Sequence, residues 1–420
     1  MKKSLLLRLC GATLAFAVIG AACGGDSGTS TTGASGTTTT THDGMTDAGS
    51  SSSDSTGVGT DAAVLNQTLT NLLDSHVYLA GVALEQAVVN GTDSAEAKAS
   101  AGALDENSQA LAGAIESVYG ADAGKQFLDL WRKHIGFFVD YTLAKANHDD
   151  AAAKKAVADL DGYRQDFGAL IESATEGALT KKQVADALVE HVNTLATAAS
   201  MLVSGDPGVF AQLNKAADHN TMLGDALSTG IATQQGLDGD PVSDASKLQQ
   251  TLTSLLDSHV YLAGVALEQA VVNGTDSAQA KASAGALDEN SKALAGAIES
   301  LYGADAGDQF LELWRKHIGF FVDYTLAKAG GDDAAAKKAS KDLDGYRQDF
   351  GALIESATEG GLSKAQVAEA LVGHVQSLSA AIDSLVAGDG KVFGLLDEAA
   401  HHNTMLAAAL AGAIAEQKGL

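Results

Sequence analysis

Eight histidines stand at matched positions along this chain, and their imidazoles are the groups in it best suited to holding a metal ion. Three lie in related phrases: Leu72-Leu73-Asp74-Ser75-His76-Val77, Leu130-Trp131-Arg132-Lys133-His134-Ile135 and Leu188-Val189-Glu190-His191-Val192. A fourth opens the phrase His219-Asn220-Thr221-Met222. The chain repeats itself at a fixed offset of 183 residues, which supplies His259, His317, His374 and His402, with Met405 answering Met222. His219 and Met222 are three residues apart and share a helix face. Imidazoles with a thioether and no thiolate suit copper first, with haem (His or Met as axial ligand) or zinc behind it. Glu106 aligns with His219 in the hairpin register and offers a carboxylate. The candidate metal ligands are therefore His76, His134, His191, His219 and Met222, and in the second copy His259, His317, His374, His402 and Met405. No tightly spaced ligand motif, such as His-Glu-x-x-His, accompanies them.

The same residues have a second reading. A histidine on an apolar helix seam is often a core residue that donates one N–H to a carbonyl or carboxylate of the neighbouring helix. Asp105, Asp161 and Asp218 recur once per hairpin and offer such a partner, and Met222 then fills a packing gap. The two copies differ at three of 47 positions between Leu72 and Val118, so identity there carries no information. They differ at 22 of 47 between Val184 and Gly230, yet His191, His219, Asn220, Thr221 and Met222 all persist.

Helices must position these residues. The chain is rich in Ala and Leu, has 5% aromatic residues and only two prolines, and its apolar spacing is helical. Stops at Gly91, Gly120, Gly177 and Gly205, with capping boxes at Asp93–Glu96 and Thr180–Gln183, divide the first copy into six helices. These run roughly 62–89, 94–119, 122–146, 150–174, 180–204 and 207–234, with Asp206 as cap and Pro207 in the first turn of the last. His76, His134 and His191 are spaced by 58 and 57 residues, which predicts a helical hairpin of about 57 residues repeated three times per copy. The expected fold is all-α: two tandem homologous six-helix domains, 61–236 and 248–420, joined by a short polar linker, 237–247. Each is a bundle or a short solenoid of three hairpins. The short linker implies neighbouring domains without requiring a tight interface. The third helix, with Trp131, Phe137, Phe138 and Tyr141, is a core helix or the wall of a small-ligand pocket beside His134.

The N-terminus carries an address. Lys2, Lys3 and Arg8 precede an apolar run, Leu9 to Ala22, that ends Ile19-Gly20-Ala21-Ala22-Cys23. This resembles the lipobox of bacterial lipoproteins, departing from it at Gly20, where leucine is usual. The resemblance implies a signal peptide over 1–22, lipidation of Cys23, and an extracytoplasmic protein held at the cell membrane or cell surface. Residues 23–60 are a Gly/Ser/Thr tether expected to be disordered, with a root-mean-square span on the order of 30–35 Å. No later run of 18 apolar residues suggests a second membrane segment.

Composition excludes several classes of function. Cys10 and Cys23 are the only cysteines, so the folded part holds neither a disulfide nor a thiolate metal site. The net charge of −26 disfavours nucleic acid as a partner and keeps the chain soluble. There is no nucleophile elbow, phosphate-cradling glycine loop or metalloprotease motif, and the expectation is a binding protein, not an enzyme. The competing expectation is a non-catalytic structural or protein-interaction module at the cell surface with structural core histidines.

Overall fold

The computed structural model describes residues 57–420; the expected signal peptide, the lipidated Cys23 and the tether up to residue 56 lie outside the described residues. Among the described residues there are twelve helices and no strand. The first repeat contains α1 (Asp61–Asn90), α2 (Ala95–Tyr119), α3 (Ala121–Ala146), α4 (Asp150–Ala174), α5 (Lys181–Ser204) and α6 (Val209–Gln235). The second contains α7 (Asp244–Asn273), α8 (Ala278–Tyr302), α9 (Ala304–Gly330), α10 (Asp333–Ala357), α11 (Lys364–Ala387) and α12 (Val392–Lys418).

Local chemistry sets most of the boundaries. Thr180 and Gln183 form a complete capping box at the start of α5, and Ser363 with Gln366 does the same for α11. Gly205 and Gly388 end these helices in the left-handed conformation, with φ of 69° and 68°, where a side chain would be strained. Two caps differ from expectation. Ser94, not Asp93, caps α2 by accepting from the Ala97 amide at 3.1 Å. Asp206 accepts from the Gly208 amide at 2.9 Å, so Pro207 lies in a turn and α6 begins at Val209.

Consecutive helices pack as pairs, and the three pairs close on themselves. Each helix of the first repeat lies against the next, and α6 returns to α1. The odd helices α1, α3 and α5 also touch one another, forming the inner triangle of a ring whose outer members are α2, α4 and α6. Helices α7 to α12 repeat this arrangement. A row of hairpins would leave α1 and α6 apart, so the closed bundle replaces the solenoid. Leu69, Leu73, Phe127, Trp131, Phe167 and Leu188 pack the interior of the first bundle, and each such side chain contributes about 1.5–3 kcal/mol by leaving water.

The two repeats are joined more intimately than a short linker requires. Helix α1 packs against α7, and a single apolar cluster runs through both halves. At the crossing Tyr78 and Tyr261 stack with ring centroids 5.2 Å apart. Around them the seam is polar: Ser75 donates to Asp257 at 3.1 Å, and Tyr78 donates to Asn214 at 2.7 Å. Asp74 and Asp257 are both fully buried there. Helix α11 is long and apolar enough to cross a membrane by length and composition. It instead packs within the second bundle, against α7, α9, α10 and α12.

Candidate metal centre

The inner triangle of helices gives the histidines their meeting point. His76 of α1, His134 of α3 and His191 of α5 each face the bundle axis and are 0%, 1% and 3% exposed. One ring nitrogen from each lies within 4.8 Å of the other two. Nε2 of His76 and Nε2 of His134 are 3.3 Å apart. His259, His317 and His374 form the same trio in the second repeat, with Nε2 of His259 and His317 3.2 Å apart. Two nitrogens bound to one ion at roughly 2.0–2.1 Å stand just over 3 Å apart in tetrahedral geometry. The pair is therefore already at ligand spacing.

Aromatic rings enclose the trio. Trp131 meets His134 edge-on at 4.4 Å between centroids, Tyr163 stacks on it at 4.7 Å, and Phe138 stands edge-on to His191 at 6.2 Å. Trp131 and Phe138 thus serve the core, as one reading of the third helix expects. Burial away from water penalises the charged imidazolium. It drives His76 down to about 3, with His191 nearby adding to the effect. It drives His191 down to about 4, opposed by Asn220 and reinforced by His219. His134 falls well below its ordinary value for the same reason, then through His76 and His191, with the Trp131 carbonyl pulling the other way. All three are neutral at pH 7, the form that binds a metal.

The polar atoms around the trio are under-satisfied. Nδ1 of His76, His134 and His191 lacks a well-formed hydrogen bond; the Trp131 carbonyl and the Asn220 amide are near but poorly placed. Trp131 Nε1, Tyr163 Oη and the amide oxygens of Asn107 and Asn220 are likewise buried without partners. The second repeat orphans the matching groups of His259, His317, His374, Trp314, Tyr346 and Asn290. Buried polar groups without partners cost roughly 1–3 kcal/mol each.

The proposed carboxylate partners do not reach the histidines. Asp105 faces outward and binds Arg132 through two contacts at 2.6 and 2.8 Å, and Asp161 pairs with Arg164. Asp218 is exposed as well, and no hydrogen bond joins it to His76, His134 or His191. The inward position of that phrase is instead its fourth residue: Asn107, Tyr163 and Asn220. Asn107 and Asn220 donate to the carbonyls of Leu72 and Leu73 on α1, at 3.0 and 2.8 Å. The signal was in the repeated phrase, two positions beyond the aspartate.

The remaining candidates stand outside the two trios. Met222 and Met405 are 57% and 54% exposed and do not fill core gaps. Helical spacing puts Met222 near the face of His219, but Asn220 occupies the inward position. Glu106 is also exposed. His219 is half-buried at the bundle edge, its Nε2 3.6 Å from Glu190. His402 lies against Gly373, with Nδ1 3.4 Å from the Ser377 hydroxyl. Comparison with protein-family models, curated proteins and solved structures finds no match.

Proposed function

We propose that the chain is a metal-binding protein in which each six-helix repeat holds one ion, monovalent copper first, through its three axial histidines. The observation that carries this reading is the convergence of three buried, neutral imidazoles in each repeat, ringed by polar atoms left without partners. The Nε2–Nε2 contact between His76 and His134 satisfies one N–H of that pair, and Nδ1 of all three histidines is left without a well-formed partner. The donor set is neutral, with no carboxylate among its members. A divalent ion there would carry about four times the desolvation penalty of a monovalent one, since that penalty grows as the square of the charge. Imidazole suits copper and zinc alike, so charge is what ranks copper ahead. Haem fits poorly because Trp131, Phe138 and Tyr163 already press on the trio and leave no slot for a porphyrin.

The role proposed is binding, not catalysis, at an extracytoplasmic membrane surface. The anchor is supported by the charged start, the apolar run and the small residues before Cys23. The test is the metal content of the protein purified without an affinity tag and loaded anaerobically with Cu(I), or with Cu(II) or Zn(II) for comparison. Two copper ions per chain are expected, falling to one in His134→Phe and to one in His317→Phe. A chain that retains no metal would leave the histidines as core residues of a structural or interaction module.

A further inference from the structure

In the second repeat a cavity of about 220 Å³ reaches inward to His259. Its inner wall is almost wholly apolar, built from Ala263, Ala266, Leu267, Ile318, Phe321 and Val322. Its mouth is different. Asp288 and Arg315 line it there at 37% and 45% side-chain exposure, joined by an ion pair at 2.7 Å. Lys292 also holds Asp288, at 3.0 Å.

These features limit what the chamber accepts. A sealed apolar cavity of smaller volume takes up benzene or xenon, and this one shares such a lining while opening to solvent beside Asp288 and Arg315. A charged molecule would give up its hydration for a wall of methyl and phenyl groups. The charges at the mouth satisfy one another and so favour neither an anion nor a cation. Small side chains leave the volume free: three alanines, Ala263, Ala266 and Ala270, face it from α7 alone. Three histidine ligands leave a copper ion short of a full tetrahedral set, and His259 belongs both to the trio and to the chamber wall.

We propose that this chamber binds a small, neutral, apolar molecule, between a diatomic gas and benzene in size, next to the ion held by His259, His317 and His374. The Asp288–Arg315 pair borders its mouth. The adjacency to an ion rests on the metal reading above; the chamber's affinity for a neutral ligand does not.

The experiment separates the two. Xenon binding to the metal-free full chain is followed by xenon NMR, in the wild type and in Ala266→Leu and Ala270→Leu, with helicity checked by circular dichroism. A saturable xenon shift that is lost in whichever filled variant keeps its helicity is the expected result. Absence of saturable binding, or binding unchanged in both folded filled variants, overturns the proposal. The Cu(I)-loaded chain is then exposed to carbon monoxide. A copper–carbonyl infrared band that disappears in the filled variant at unchanged copper content supports ligation from the chamber, and a band that persists there refutes it. Xenon binding in a chain that retains no copper refutes the metal reading and leaves the ligand chamber standing.

Discussion

If the trios are metal ligands, their affinity for Cu(I) is nearly independent of pH down to about pH 5. Metal and proton compete for the same nitrogens, so the apparent affinity falls by the protonated fraction of each ligand. An ordinary histidine with a pKa of 6.5 is protonated about 30 to 1 at pH 5.0, and three of them together cost roughly 30,000-fold in affinity. Here burial has lowered His76 to about 3 and His191 to about 4, and His134 lies well below its ordinary value. Proton competition at pH 5.0 then removes less than about twofold. The assay is anaerobic partition of Cu(I) against a coloured chelator at pH 7.5 and 5.0, corrected for the chelator's own protonation, with helicity recorded at both pH values. A fall of a hundredfold or more with helicity intact would refute the reasoning. The metal-free fold behaves in the opposite way. A histidine pKa depressed by folding contributes stability that is present above 6.5 and is lost as pH falls toward the folded value. Each buried histidine costs about 2 kcal/mol of stability between pH 7.5 and 5.0. Asp74 and Asp257 oppose this trend, so single variants are needed to isolate each group.

Asp74 is one such case. Burial raises it to about 8, with Asp218 nearby adding to the effect and the Ser254 and Thr221 hydroxyls opposing it; neither of its oxygens has a well-formed hydrogen bond. A carboxyl raised by folding loses stability as pH climbs from its unfolded value to its folded one. Asp74→Asn should therefore stabilise the chain increasingly with pH, by up to about 1.4 kcal/mol per unit between pH 4 and 8. Denaturant unfolding at pH 5 and 7 reads this directly, and a difference that does not grow with pH contradicts it. Gly168→Ala should destabilise by about 1–3 kcal/mol, because the new Cβ would sit 2.5 Å from the Lys181 carbonyl oxygen. Gly162→Ala, on the same helix with open space around it, should stabilise by roughly 0.5–1 kcal/mol, and the thermal midpoints of the two variants should move in opposite directions. Cys23→Ser should move the protein from the membrane fraction to the soluble one, and unchanged membrane retention would remove the lipid anchor.

Much of the architecture was legible in the order of residues. Helical periodicity, glycine stops and side-chain caps are local effects, so the helices fall close to where the sequence puts them. One exception is a pair of near-equivalent neighbours: Asp93 and Ser94 both carry a capping oxygen, and only the backbone path selects Ser94. The candidate metal centre was half legible. The 58- and 57-residue spacing marks His76, His134 and His191 as equivalent members of a threefold unit. The same pattern was misleading for Asp105 and Asp161. Two positions along a helix amount to about 200° of rotation, so a repeated aspartate and a repeated asparagine or tyrosine cannot both face inward. Arg132 and Arg164, on or beside the same surface, claim the aspartates.

By itself, then, the sequence determined that the chain is helical, that it is built twice over from hairpins, and that one histidine sits on the seam of each first helix. These follow from propensities and periodicities that act over a few residues. Only the tertiary structure decided that the hairpins close into a ring. In a row, adjacent first helices would hold their histidines apart, since packed helix axes stand 8–10 Å from one another. Closure turns three equivalent seams toward one axis and brings three nitrogens within 4.8 Å. It also decided the fate of His219 and Met222, which share a helix but not the axis: Asn220 takes the inward position and leaves Met222 in water. Which residues meet is a property of how the whole ring closes, and no local spacing carries it.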